Sequence, residues 1–337
     1  MYVDPAPVSG TPLLAVDELK VEFHTRDGSA RAVDGVSFTV DRGETLAVLG
    51  ESGSGKSVTA QAIMGILDTP PAEITGGSIK LDGTELIGLA EDKYRQIRGK
   101  RIAMIFQDAL SALNPVISIG DQISEMFRIH EGLNKSDAKT ATIDVLKRVH
   151  IPAAETRFGS YPHEFSGGMR QRIMIAMMIA LKPSVLIADE PTTALDVTVQ
   201  AQVMDLLSEL KDQNQMGLIL ITHDLGVVAD VADKISVMYS GRTFERGPIS
   251  DIYHHTANPY TRGLLESIPK IDERVEGRLP AITGLPPSLF NRPQGCLFNV
   301  RCPMVQDKCR EEEPELLFVT PQHGSRCWFA QEVYDSD

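Results

Sequence analysis

The sequence predicts an α/β protein with a mostly parallel core sheet and a small irregular extension at its C-terminal end. Residues 185–188 and 218–221 are short, near-continuous apolar runs, as expected of strands covered on both faces. Helical stretches separate such runs, and strand alternating with helix gives a parallel sheet. After about residue 258 no long period persists, and nine of the 20 prolines fall between Pro259 and Pro321, which marks the extension.

Taken in order, Val21 and Phe23 alternate with polar neighbours in a first strand, residues 33–40 form a second and 44–49 a third. That third run ends at a glycine-rich loop, and residues 58–67 then read as a helix, which makes one strand–loop–helix unit. Residues 100–107 look like another short strand. From about 118 to 182 the pattern is helical up to a Ser166-Gly167-Gly168 break. The expected division is 12–258 for the main domain and 259–337 for the extension. The latter is too poor in periodic apolar residues to build its own core, so something else should staple it.

With 337 residues the chain can bury a large core in one big domain plus an appendage. The net charge of −13 disfavours broad contact with nucleic acid or anionic lipid, so no nucleic-acid partner is expected. The longest apolar run, 173–181, falls far short of the roughly 20 residues of a membrane-spanning helix. Residues 1–5 lack the basic start and apolar stretch of a secretory signal. A cytosolic protein is expected, held by integral partners if it works at a membrane.

The loop Gly50-Glu51-Ser52-Gly53-Ser54-Gly55-Lys56-Ser57 fits the phosphate-binding pattern G-x-x-x-x-G-K-[ST] in full. Glycines let the backbone turn its N–H groups onto phosphate oxygens. The following helix presents its positive end to the same anion. Lys56 can reach the β- and γ-phosphates, and the Ser57 hydroxyl can ligate Mg²⁺. Gly50, Ser52, Gly53, Ser54, Gly55, Lys56, Ser57 and the next residue, Val58, are the expected ATP contacts.

Further elements narrow the class, and on them the chain resembles the ABC ATPase family. Ser166-Gly167-Gly168-Met169-Arg170-Gln171 resembles the LSGGQ signature, with Phe165 and Met169 departing from its commonest form. Ser-Gly-Gly is a common loop sequence, but opening a helix it makes a second anion site. Val185-Leu186-Ile187-Ala188-Asp189-Glu190 looks like a Walker B strand. A buried strand ending in two carboxylates is costly unless a cation or reaction needs them. The bland alternative is a helix-capping acidic pair. In the resemblance Asp189 holds Mg²⁺ and Glu190 is the general base for the attacking water.

Ala194-Leu195-Asp196 is similar to the D-loop, and Thr222-His223-Asp224 to the switch segment, which implies that His223 senses the γ-phosphate. The resemblance makes Gln107 a Mg²⁺ and water ligand that links to a membrane partner. Phe23 stands where the adenine-stacking aromatic sits, with an ordinary strand phenylalanine as the competing reading. The likeness covers about 12–258. It implies a P-loop ABC ATPase domain with an antiparallel β-subdomain and a helical subdomain carrying the signature. It also implies a head-to-tail dimer in which Ser166, Gly167 and Gly168 meet the partner's ATP.

Asn258-Pro259-Tyr260-Thr261, Gly284-Leu285-Pro286-Pro287, Gly295-Cys296-Leu297-Phe298 and Arg301-Cys302 resemble the C-terminal extension of dipeptide/oligopeptide importer ATPases. Val300 and Trp328 depart from that pattern, where proline and histidine are usual. The resemblance implies peptide import, with nickel or another small solute as the alternative cargo and a non-transport ABC ATPase as the rival class. It implies two transmembrane permease subunits, a homologous ATPase in a heterodimer, an extracytoplasmic solute-binding protein, and a peripheral place on the cytoplasmic face of the membrane.

All four cysteines, Cys296, Cys302, Cys309 and Cys327, fall in this extension with spacing C-x5-C-x6-C-x17-C. Structural zinc sites use tighter pairs, and disulfides do not suit a reducing cytosol. An iron–sulfur cluster, zinc and unliganded thiols remain open on spacing. The resemblance favours a structural 4Fe–4S cluster, in addition to ATP and Mg²⁺.

Overall fold

A computed structural model describes residues 10–26, 28–193, 195–268 and 282–336. The chain divides into two compact units. One comprises the described parts of 1–40, 45–87 and 221–337, and the other comprises 41–44 and 88–220.

In the first unit a four-stranded antiparallel sheet runs in the order Gly28–Val40, Leu14–Thr25, Ala72–Leu81, Thr84–Glu85. Alternation along Leu14–Thr25 buries Leu14, Val16, Leu19 and Val21, with register shifts where Glu18 has φ 46. The same unit pairs the fully buried Thr45–Leu49 in parallel with Lys234–Tyr239, to which Arg242–Pro248 adds antiparallel. His323–Ser325 and then Leu317–Thr320 extend that edge antiparallel. The sheet is thus parallel where the glycine-rich loop leaves it and antiparallel toward the extension.

Among the described residues, the extension packs aromatic side chains into the core of this unit. Phe298 packs on Tyr239 and Tyr260 with ring centroids 5.4 and 5.3 Å away, and Phe244 joins from the sheet. Arg292 donates to Asp34 Oδ2 at 2.6 Å and to the Arg31 and Ser240 carbonyls, a second attachment. Buried aromatic contact and a charged tie together staple the segment.

In the second unit Ile102–Ile105 pairs in parallel with Val185–Asp189, and both are buried throughout. Gly217–Ile221 lies on the other side of Val185–Asp189. The long helical stretch resolves into Ile119–His130, Lys135–Arg148, Ala154–Arg157 and Gly167–Ile179. Gly132 and Ala153, both at positive φ, stand at two of the breaks. No helix among the described residues is long and apolar enough to cross a membrane.

Candidate functional site

In the first unit, strand Thr45–Leu49 delivers the chain into residues 50–57 and helix Lys56–Met64 carries it away. Gly50 has φ 144 and Gly55 φ 102, conformations that L side chains rarely adopt. A Cβ on Gly50 would also collide with the Met238 carbonyl oxygen, so its glycine is required twice over. Lys56 is buried, and its Nζ donates to the carbonyls of Gly50 at 2.7 Å and Glu51 at 2.9 Å. Ser52, Gly53 and Ser57 are exposed, Ser54 is buried and Val58 half-buried. A glycine-rich turn on a helix N-terminus with exposed hydroxyls is an anion-binding arrangement.

His223 belongs to the same unit and is exposed. The turn presenting it is fixed on both sides: the Thr222 N–H donates to Val48 O at 3.3 Å, and the Asp224 N–H to Thr222 Oγ1 at 3.0 Å. Asp224 then caps helix Leu225–Val231. Phe23 is half-buried on strand Leu14–Thr25, opposite Ala30 on one side and Ala72 on the other.

The second unit holds the acidic centre. Asp189 ends its strand only 7% exposed. Glu190 follows at φ 48, a left-handed conformation unusual for glutamate and costly unless its surroundings enforce it. Its Oε2 accepts from Gln107 Nε2 at 3.0 Å and from Thr193 Oγ1 at 2.9 Å. These two donors fix the direction in which the carboxylate oxygen points.

Ser166 caps helix Gly167–Ile179 by accepting from the Met169 N–H, and Ser166 and Gly167 are exposed. A Cβ on Gly168 would stand 2.7 Å from Val199 Cγ1, so this glycine lets helix Val197–Asn214 approach. Phe165, where the commonest signature has leucine, is buried under the Arg157 guanidinium. Gln171, buried, donates to Pro191 O at 2.6 Å and ties the signature helix to the segment after Glu190. Asp196 caps helix Val197–Asn214, whereas Ala194 lies outside the described residues.

The four cysteines line one small cavity with Phe298, Pro314 and Trp328 in the first unit. All are free thiols. No three His, Cys, Asp or Glu among the described residues are grouped to hold a metal ion. Burial, with repulsion from neighbouring cysteines, pushes the Cys296 thiol up to about 11 and Cys327 to about 12, and burial also raises Cys302.

Sequence reading missed Thr193, the contact of Gln171 with Pro191, and the partners of Glu51. Glu51 Oε1 and Oε2 accept from Arg301 Nη2 and Nη1 at 2.8 and 2.6 Å, and its N–H donates to Tyr260 Oη at 3.1 Å. The available signal was an arginine beside Cys302 in an otherwise apolar segment.

Residues 33–193 match the family described as ABC transporter, and residues 244–309 match the oligopeptide/dipeptide transporter C-terminal region. The chain is 46% identical over 318 residues to the oligopeptide transport ATP-binding protein OppD of Bacillus subtilis, covering 94% of this chain and 89% of that one. To the protein of the same name in Haemophilus influenzae it is 47% identical over 326 residues, covering 96% and 99%. A dimeric ATP-binding cassette, MJ0796, solved with ADP and Pi, superposes with a TM-score of 0.63 over 70% of this chain and 98% of that one. At 23% identity that likeness establishes the fold.

Proposed function

The chain belongs to the ABC transporter ATPases, in the branch of the oligopeptide and dipeptide transporters, and we propose that it couples ATP hydrolysis to the import of short peptides. The observation that carries the chemistry is Glu190, a carboxylate directed by Gln107 and Thr193 next to the buried Asp189. In this reading Gly50, Ser52, Gly53, Ser54, Gly55, Lys56, Ser57 and Val58 hold the ATP phosphates, and Phe23 stacks on adenine. Ser57 on the phosphate loop, and Gln107 and Asp189 in the other unit, are the residues that would hold Mg²⁺, which would supply charge neutralisation at the phosphates. Glu190 takes a proton from the attacking water, and His223 contacts the γ-phosphate.

Ser166, Gly167 and Gly168 meet the ATP of a second ATPase in a head-to-tail pair. We read that second ATPase as a homologous chain, the alternative being another copy of this one. Two permease subunits anchor the pair to the cytoplasmic face of the membrane, and an extracytoplasmic binding protein delivers the peptide. The cargo never touches this chain, so the peptide reading is supported by the C-terminal region and the relatives. Reconstitution with the permeases tests it. Peptide should raise ATP turnover and accumulate inside vesicles, whereas stimulation by a nickel chelate alone would replace peptide as the cargo.

The cysteine cavity is read as the seat of a 4Fe–4S cluster held by Cys296, Cys302, Cys309 and Cys327. The support for that reading is that all four thiols line one cavity, at spacings wider than the tight pairs of structural zinc sites. Bound there, it would cross-link the extension.

A further inference from the structure

We propose that Arg301 is a positioning residue for the phosphate loop, holding the Glu51 carboxylate away from bound ATP phosphates and neutralising it. The inference rests on residues 50–57 being that loop.

Glutamate is an awkward residue there, since its charge repels the triphosphate the loop is to bind. Each polar part of Glu51 is nonetheless engaged. Its carbonyl accepts from Lys56 Nζ, its N–H donates to Tyr260 Oη, and its carboxylate receives both Arg301 Nη atoms. The guanidinium is itself fixed from other directions. Nη1 also donates to Tyr239 Oη at 3.2 Å and Nε to Thr283 O at 3.1 Å, and the group lies against the Tyr239 and Phe298 rings. The Arg301 side chain is 3% exposed against 27% for Glu51. The Glu51 hydrogen bonds raise the Arg301 pKa further. A planar fork held this way fixes direction as well as charge, which lysine cannot do.

The ion pair spans 250 residues of sequence and joins the phosphate loop to the cysteine-bearing turn, where the Arg301 and Cys302 N–H groups both donate to Phe298 O. The extension is therefore part of the nucleotide site.

The test is calorimetric binding of a Mg²⁺-complexed, non-hydrolysable ATP analogue to the full chain. Arg301→Met should weaken binding about tenfold by leaving Glu51 unneutralised, and added salt should shrink that loss. Adding Glu51→Gln to Arg301→Met should recover most of the affinity, because the offending charge is gone. Arg301→Lys, which keeps charge and bulk, should fall between parent and Met, and it serves if the Met variant does not fold. Parent-like binding by both Arg301 variants, or a double variant no better than Arg301→Met, would overturn the proposal. A parent chain that fails to bind the analogue would instead remove the reading of 50–57 as the ATP loop.

Discussion

Gln107 donates from Nε2 to Oε2 of Glu190 across 3.0 Å, joining two residues 83 apart in sequence. The same carboxylate oxygen accepts from Thr193, and its backbone sits at φ 48. The side chain expected to activate water is therefore aimed by a glutamine on the segment after strand Ile102–Ile105, so a displacement of that segment changes the aim of the base.

Glu190→Gln should lower turnover by about 10²–10⁴-fold, the usual contribution of a general base, while ATP still binds. Gln107 and Thr193 can pair with an amide oxygen as with a carboxylate, so the local structure should survive. Phosphate release by the assembled transporter is the measurement. Parent-like turnover would remove Glu190 as the base.

Gln107→Ala frees one side of the Glu190 carboxylate and should lower kcat about tenfold with little change in KM for ATP. Gln107→Glu makes a sharper test, because a second carboxylate raises the pKa of the first. Its pH–rate profile should move its acid limb to higher pH. A profile superimposed on the parent's would mean that Gln107 and Glu190 do not meet in the working enzyme.

Gly168→Ala should destabilise the protein by about 1–3 kcal/mol, the range for overpacking, because the new methyl meets Val199 Cγ1 at 2.7 Å. Val199→Ala should relieve it, so that Gly168→Ala costs much less stability in the Val199→Ala background than in the parent. Melting temperatures decide. Additive losses would show that Gly168 serves something other than helix approach.

The parts of the fold legible in the sequence are those whose signal is local. The 50–57 motif, the apolar runs of Val185–Asp189 and Gly217–Ile221, and the signature helix beginning at Gly167 needed only neighbouring residues. Strand Ala72–Leu81 went unread because Gly76-Gly77 interrupts its alternation. Gly77, at φ 93, is there because a Cβ would strike Leu19 Cα at 2.6 Å across the sheet. The Glu51–Arg301 pair was illegible for a different reason. A contact across 250 residues leaves no period, so the Arg301-Cys302 pair marked the extension without revealing which carboxylate the arginine meets.

Asp34 gives a pH prediction. Burial pushes its carboxyl up, but Arg242 and Arg292 more than offset this and hold it below the ordinary 3.8. A depressed carboxylate pKa contributes stability that is present above the unfolded-state value and lost as pH falls through the folded-state one. Asp34→Asn should therefore cost about 3 kcal/mol at neutral pH, because two partly buried guanidiniums lose their partner. The loss should begin to shrink as pH falls below 3.8, where the unfolded chain takes up the proton, and should vanish only below the lower folded-state value. An equal difference at pH 7 and pH 3 would contradict the ion-pair account.

Anaerobic purification should yield a brown protein with about four iron and four acid-labile sulfide per chain, the content of one 4Fe–4S cluster. The physical case is that Cys296 and Cys327 are costly as thiolates where they stand, since burial and mutual repulsion hold them protonated. Bound iron would supply the opposing charge, so loading should release protons and raise the melting temperature of the segment around Phe298. Cys309→Ser should lower both iron content and that stabilisation, while a parent that melts identically with and without iron would leave the cysteines as buried thiols. A colourless protein with stoichiometric zinc, or with no metal, would overturn the cluster directly. In that case the aromatic contacts of Phe298 and the Arg301–Glu51 and Arg292–Asp34 pairs hold the extension by themselves.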